Sequence, residues 1–183
     1  MNSIRSFLAE PAVADPPVRV WRDWALLAVI WVAALVDAIA RPDLIWPAAS
    51  LVVCLAASTT VLWRRTHPLA MTIIGFGLAQ GLGIAAYLVE GESTGLYAMA
   101  FLLVLPYALF RWASGRHAGY GVIVMVAAWA IGVLTDPGGI GDAIGGVVVL
   151  FVPIELGAVV RLRADAHGRE LEEARLLERE QLA

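Results

Sequence analysis

The stretch AIGGVVVLFVPIELGAVV, residues 143–160, runs straight into RLRADAHGRELEEARLLEREQLA, residues 161–183. The first run holds one ionisable residue, Glu155. Its length of about 27 Å at about 1.5 Å per residue nearly matches a hydrocarbon core of about 30 Å. The second run carries five arginines and six acidic residues, which marks a helix bathed in water. Read together, they predict a membrane span whose helix leaves the bilayer and continues as a charged rod.

The rest of the chain repeats the first pattern. Of the 183 residues 60% are hydrophobic and only 16% charged, and the apolar residues come in long blocks instead of alternating at periods of 2 or 3.6. Blocks at residues 24–40, 44–63, 69–89, 96–113, 118–134 and 143–160 predict an all-α, polytopic membrane protein with six transmembrane helices followed by a cytoplasmic charged helix. This divides the chain into a leader at 1–23, a six-helix domain at 24–160 and a linker helix at 161–183. The leader contains Pro11, Pro16, Pro17, Glu10 and Asp15, so it reads as a loose cytoplasmic segment and not as a signal peptide.

Arginine placement orients the helices. Twelve of the thirteen arginines fall before block one, in the second-to-third and fourth-to-fifth turns, and after block six; Arg41 alone lies on the other side. Positive residues stay on the cytoplasmic side, so both termini are expected in the cytoplasm, in the plasma membrane of a bacterium. The opposite loops are too short to build an extracellular ligand-binding domain. Any stimulus from outside would therefore act through the bundle, the lipid or another membrane protein.

Several chemistries lack their residues. A net charge of −3 with no basic run argues against nucleic acid. Cys54 is the single cysteine and reads as a packing residue. His67, His117 and His167 stand far apart with no ligand-like spacing, and neither a phosphate-binding glycine loop nor a nucleophile elbow is present. No catalytic or metal residue is expected, and no cofactor.

The polar residues inside the blocks are few. Glu155 comes two residues after Pro153, whose ring removes a helix hydrogen bond, and an intramembrane carboxylate usually has a function or a partner. Two readings are open: a bend and polar contact through which the sixth helix changes pose, or a carboxyl that is protonated, or paired with an arginine such as Arg111 or Arg161, and serves packing alone. Gly168 is a weak point in the charged helix. Gly77, Gln80 and Gly81 suggest a close helix contact, with a glycine pair at G-x-x-x-G spacing and an amide that hydrogen-bonds across it. Asp37, near the end of its block, is expected to cap the helix or to pair with Arg41, four residues on. In the charged helix Asp165, Arg169 and Glu173 repeat that spacing.

The run from Arg169 to Ala183 resembles the linker before the phosphoacceptor helix of actinobacterial sensor histidine kinases. The turn Trp63-Arg-Arg-Thr-His-Pro68 is similar to the loop between the second and third spans of that family's membrane domain. The resemblance implies a signal-input module of a two-component phosphorelay: a homodimer in the lipid bilayer, reaching a response regulator through a kinase core that would use ATP and Mg. The chain stops before the expected phosphoacceptor histidine and has no ATP-binding domain, so it is expected to be either a fragment or a shortened relative, inactive alone. Two other classes stay open, a small transporter or channel lined by Asp37, Gln80 and Glu155, and an anchor or assembly factor whose charged helix docks another protein.

Overall fold

The computed structural model describes residues 5, 7–135 and 140–181, and the described residues form helices and no strands. In chain order these are α1 (Trp21–Ala40), α2 (Pro47–Ser58), a 3-10 helix (Thr59–Leu62), α3 (Pro68–Glu90), a second 3-10 helix (Tyr97–Leu103), α4 (Val104–Trp112), α5 (Gly115–Thr135) and α6 (Ile140–Gln181). Four helical segments are long and apolar enough to cross a membrane: Trp21–Ala40, Pro68–Glu90, Gly115–Thr135 and Ala143–Gly168. Pro47–Leu62 and Tyr97–Trp112 are shorter apolar helices. Side chains such as Ile39, Leu88, Val126 and Val152 are 80%, 76%, 55% and 61% exposed. Water would not tolerate so large an apolar surface, and lipid requires one.

Local chemistry sets the ends of these elements. Pro47 and Pro68 open α2 and α3 at the first turn, where a missing N–H costs nothing. Gly91 closes α3 at φ +80, its N–H bonded to the Tyr87 carbonyl, the left-handed cap that glycine adopts without strain. The tightening of α2 into a 3-10 turn has a visible cause. The hydroxyls of Ser58, Thr59 and Thr60 donate to the carbonyls of Leu55, Ala56 and Ala57, three residues back, and so compete with the α-helical pattern.

Two apolar cores result. One, around Ile30, Ala34, Cys54, Ala57, Val61 and Phe101, joins α1, α2 and the Tyr97–Leu103 turn. The other, around Phe76, Leu105, Leu109, Met125 and Ala128, joins α3, α4 and α5, with Leu150 and Ile154 of α6 packed against it. Cys54 is wholly buried in the first, as a packing residue would be. The last helix packs mainly on α4 and little on α5.

Glycines decide where helices come closest, and they are not the pair expected. Nothing lies within 4 Å of a Cβ placed at Gly77 or Gly81. The close approaches are at Gly75, where a Cβ would meet Leu105 Cδ1 at 2.6 Å, at Gly121 against Leu109, and at Gly157, where it would meet the Tyr107 carbonyl oxygen at 2.5 Å. The spacing of Gly77 and Gly81 is right for a contact, but their face of α3 meets no neighbour among the described residues.

Candidate functional site

The point where α6 leaves its apolar stretch is the most elaborately bonded place in the molecule. Arg161, the first charged residue after Val160, is only 7% exposed. Its Nη1 donates to the Ala113 carbonyl at the end of α4 and its Nη2 to the Pro11 carbonyl in the leader, both at 2.6 Å. Its Nε stands 3.1 Å from Glu10 Oε1. That N–H does not point along the contact, so the Glu10 interaction is an ion pair without a hydrogen bond. Guanidinium planarity lets one side chain hold two carbonyls and a carboxylate at once.

The leader is held there by more than Arg161. The Val13 N–H donates to the Trp112 carbonyl and the Gly115 N–H to the Glu10 carbonyl. Phe7 stacks on Phe110 with ring centroids 6.4 Å apart. Gly115 is required because a Cβ at that position would collide with the Phe7 carbonyl. The leader expected to be loose is therefore tied, over residues 7–13, to the turn between α4 and α5. Its partners are mainly backbone groups of that turn, which leave no mark in a sequence pattern.

A second ionic cluster lies at the start of α1. Asp23 is 1% exposed; its Oδ1 receives Arg64 Nη2 at 2.7 Å and Arg65 Nη2 at 2.9 Å, while its Oδ2 accepts the Val20 N–H at 3.0 Å. One carboxylate thus caps a helix and neutralises two arginines of the turn before α3. Burial lowers the pKa of the Arg64 guanidinium from its ordinary value, an effect that Asp23 opposes and Arg65 reinforces. Arg19 lies over the Trp63 ring at 4.8 Å. The leader is therefore fastened twice, over residues 7–13 and again from Arg19 to Asp23, at the arginine-rich end of the bundle.

The residues singled out from sequence fall elsewhere. Glu155 is exposed on α6 beside Val152, Leu156 and Val159. It pairs with neither expected arginine: Arg161 takes Glu10, and Arg111 stacks on Trp112 at 4.6 Å. The helix runs unbroken through Pro153 and through Gly168, so neither residue terminates it. At the opposite end Asp37 accepts the Ala98 N–H at 3.0 Å. The Arg41 backbone N–H caps the helix on the Asp37 carbonyl at 3.1 Å, but its side chain forms no ion pair with Asp37: it donates to the Gly95 carbonyl and lies over Tyr97 at 4.2 Å. Gln80 lines a cavity beside Trp129 and Thr94. The side chains of Asp165, Arg169 and Glu173, and so the pairs expected among them, lie outside those described; His167 and Glu170 stand 3.5 Å apart.

Sequence reasoning missed Glu10, Asp23 and Gly157. Asp23 had a signal, since an acidic residue three positions into an apolar helix is a capping pattern. Among the described residues no group of His, Cys, Asp and Glu is placed to hold a metal, and none shows a cofactor site. The chain matches no protein-family profile, no curated protein and no solved structure. The arrangement joins the leader, the α4–α5 turn and the last helix through one buried guanidinium.

Proposed function

We propose that this chain is the membrane-embedded signal-input and transmission module of a two-component sensor histidine kinase, working as a homodimer in a bacterial plasma membrane with both termini in the cytoplasm. The observation that carries the reading is α6, one helix of 42 residues from Ile140 to Gln181. At about 1.5 Å per residue it measures about 63 Å, about twice the hydrocarbon thickness. A helix that is apolar for its first half and charged for its second moves both halves when it tilts or rotates.

Six crossings suit this reading. Pro47–Leu62 and Tyr97–Trp112 look short for spans, but each includes a 3-10 segment, which rises about 2.0 Å per residue. Their lengths become about 26 and 28 Å, close to the bilayer core. With six spans, the twelve arginines share the cytoplasmic side, and the Arg161 and Asp23 clusters lie at that interface.

Transmission requires two states of one element. Clasped, Arg161 holds α6 to the leader and to α4; released, the helix is free to turn on the Gly157 contact. Pro153, without an N–H, and Gly168, with no packing around it, are the compliant points above and below the clasp. The kinase core beyond the charged helix would bind ATP and Mg and pass phosphate to a response regulator.

The test is to read the gene beyond codon 183 and incubate membranes holding its full product with labelled ATP. A Leu-His-Asp motif, an ATP-binding domain and acid-labile phosphohistidine are expected. A stop codon directly after Ala183, or a product that takes up no phosphate, would overturn the kinase reading.

A further inference from the structure

Between α3, the Tyr97–Leu103 turn, α5 and α6, toward the arginine-poor end, lies a cavity of about 460 Å³. Its origin is legible in the side chains. Small residues stand about one turn apart on each of three helices, Ala79 and Gly83 on α3, Ala128 and Gly132 on α5, Ala143 and Gly146 on α6. A Cβ at Gly83 or at Gly132 would meet nothing within 4 Å. The volume falls in the range of small-molecule sites and equals that of about fifteen liquid waters, too small for a whole phospholipid.

The lining is mainly apolar, with Gln80, Ser93, Thr94, Trp129 and Thr135 supplying its polar groups. Among the described residues no Asp, Glu, Arg or His lines the cavity. Thr94 already donates to the Ile45 carbonyl and Thr135 to the Ile131 carbonyl, and the Trp129 indole N–H is spent on the Ala143 carbonyl at 3.1 Å. That leaves the Gln80 amide and the Ser93 hydroxyl, for which the described residues provide no hydrogen-bond partner. A half-buried amide at membrane depth is costly to leave unpaired.

Trp129 and Leu150 also line a second, adjoining cavity of about 360 Å³, whose lining, from Val122 and Met125 to Phe151 and Ile154, is entirely apolar. It exists because α6 packs on α4 and leaves α5 largely uncovered. A hydrogen-bonding chamber beside an apolar slot describes one kind of molecule.

We infer that this pair of cavities binds a neutral, single-chain amphiphile, its uncharged hydroxyl or amide head against Gln80 and Ser93 and its hydrocarbon chain in the slot between α5 and α6. An anionic head would find no cation there, and a diacyl lipid would exceed the space. Binding would bear on α6 directly, since Ala143, Gly146, Leu150 and Ile154 of that helix line the two chambers. Such binding needs no domain beyond the last helix and stands apart from the kinase reading.

The experiment uses the purified full chain in phospholipid nanodiscs and a photoreactive monoacylglycerol carrying a diazirine in its chain. Saturable labelling, competed by unlabelled monooleoylglycerol, is expected. Gly83→Leu and Gly132→Leu, which fill the chamber without meeting backbone, should each weaken competition about tenfold or more. Gln80→Leu should weaken it about fivefold. Gly77→Leu, on the same helix but away from the chamber, should leave it unchanged. Labelling that rises linearly with probe, or that survives both glycine substitutions, would mean bulk lipid partition and overturn the site. Equal labelling by a monoacyl phosphate probe of the same chain would overturn the neutral head group.

Discussion

Arg161, in the last helix, donates a 2.6 Å hydrogen bond to the carbonyl of Pro11, 150 residues earlier in the chain. The bond closes the bundle at its arginine-rich end, because the same guanidinium also holds Ala113. Arg161→Gln should therefore release both the leader and the helix. The buried Ala113 carbonyl and the more exposed Pro11 carbonyl lose a charged donor, a loss of about 2–3 kcal/mol. Glu10→Gln should cost less than about 1 kcal/mol, since Glu10 is 33% exposed and exposed pairs contribute little. Thermal unfolding in detergent would rank the two variants. Trypsin cleavage after Arg5 and Arg19 should quicken in Arg161→Gln and not in Glu10→Gln; equal cleavage would mean that the leader is held without Arg161.

Asp23 balances two arginines at once, and this makes its removal worse than that of either partner. Asp23→Asn leaves Arg64 and Arg65, 12% and 17% exposed, with no counter-charge, and should destabilise by about 3–5 kcal/mol. Asp23→Ala should cost more, because the Val20 N–H loses its cap as well. Arg65→Gln should cost least, since Arg64 keeps its 2.7 Å contact. Unfolding midpoints of the three variants check the order, and an Arg65→Gln variant as unstable as Asp23→Asn would contradict it.

What the sequence could and could not say divides along physical lines. Apolar runs report the solvent each segment meets, so the helical class and the four long helices Trp21–Ala40, Pro68–Glu90, Gly115–Thr135 and Ala143–Gly168 are legible with errors of a few residues. Helix ends are harder where chemistry changes without a break: Val160 and Arg161 differ in polarity but continue one helix, so a boundary drawn there marks a change of composition and not an end of the fold. Side-chain partners are mostly illegible. Sequence distance suggests Asp37 with Arg41 and Glu155 with Arg161, whereas the actual partners, Ala98 of Asp37 and Glu10 of Arg161, are set by how the helices stack. The cavity around Gln80 depends on small residues from three helices, whose coincidence appears only in three dimensions.

Glycine offers the sharpest contrast between pattern and packing. Gly77→Ala and Gly81→Ala, with nothing near either Cβ, should raise stability by up to about 1 kcal/mol each, because alanine is the better helix former. Gly157→Ala, on which the Tyr107 carbonyl closes to 2.5 Å, should push α6 off α4 and cost about 1–3 kcal/mol. Opposite signs for the same chemical change are the result to look for in thermal unfolding. A destabilised Gly77→Ala would reveal a partner for that face of α3 outside the chain.

The number of crossings has a direct readout, and the chain carries its own control. Cys54 is wholly buried and should stay silent toward a membrane-impermeant maleimide. Asp43 and His67 flank Pro47–Leu62, and Glu92 and His117 flank Tyr97–Trp112; all four are exposed. In intact cells Asp43→Cys and Glu92→Cys should react from outside, while His67→Cys and His117→Cys should react only after the membrane is opened. The physical basis is the 3-10 segments, which stretch both short helices to about 26–28 Å. If Asp43→Cys and His67→Cys reacted from the same side, Pro47–Leu62 would be a re-entrant or interfacial helix. The arginine pair at Arg64 and Arg65 would then share a side with Arg41, and the orientation drawn from twelve arginines against one would lose its footing.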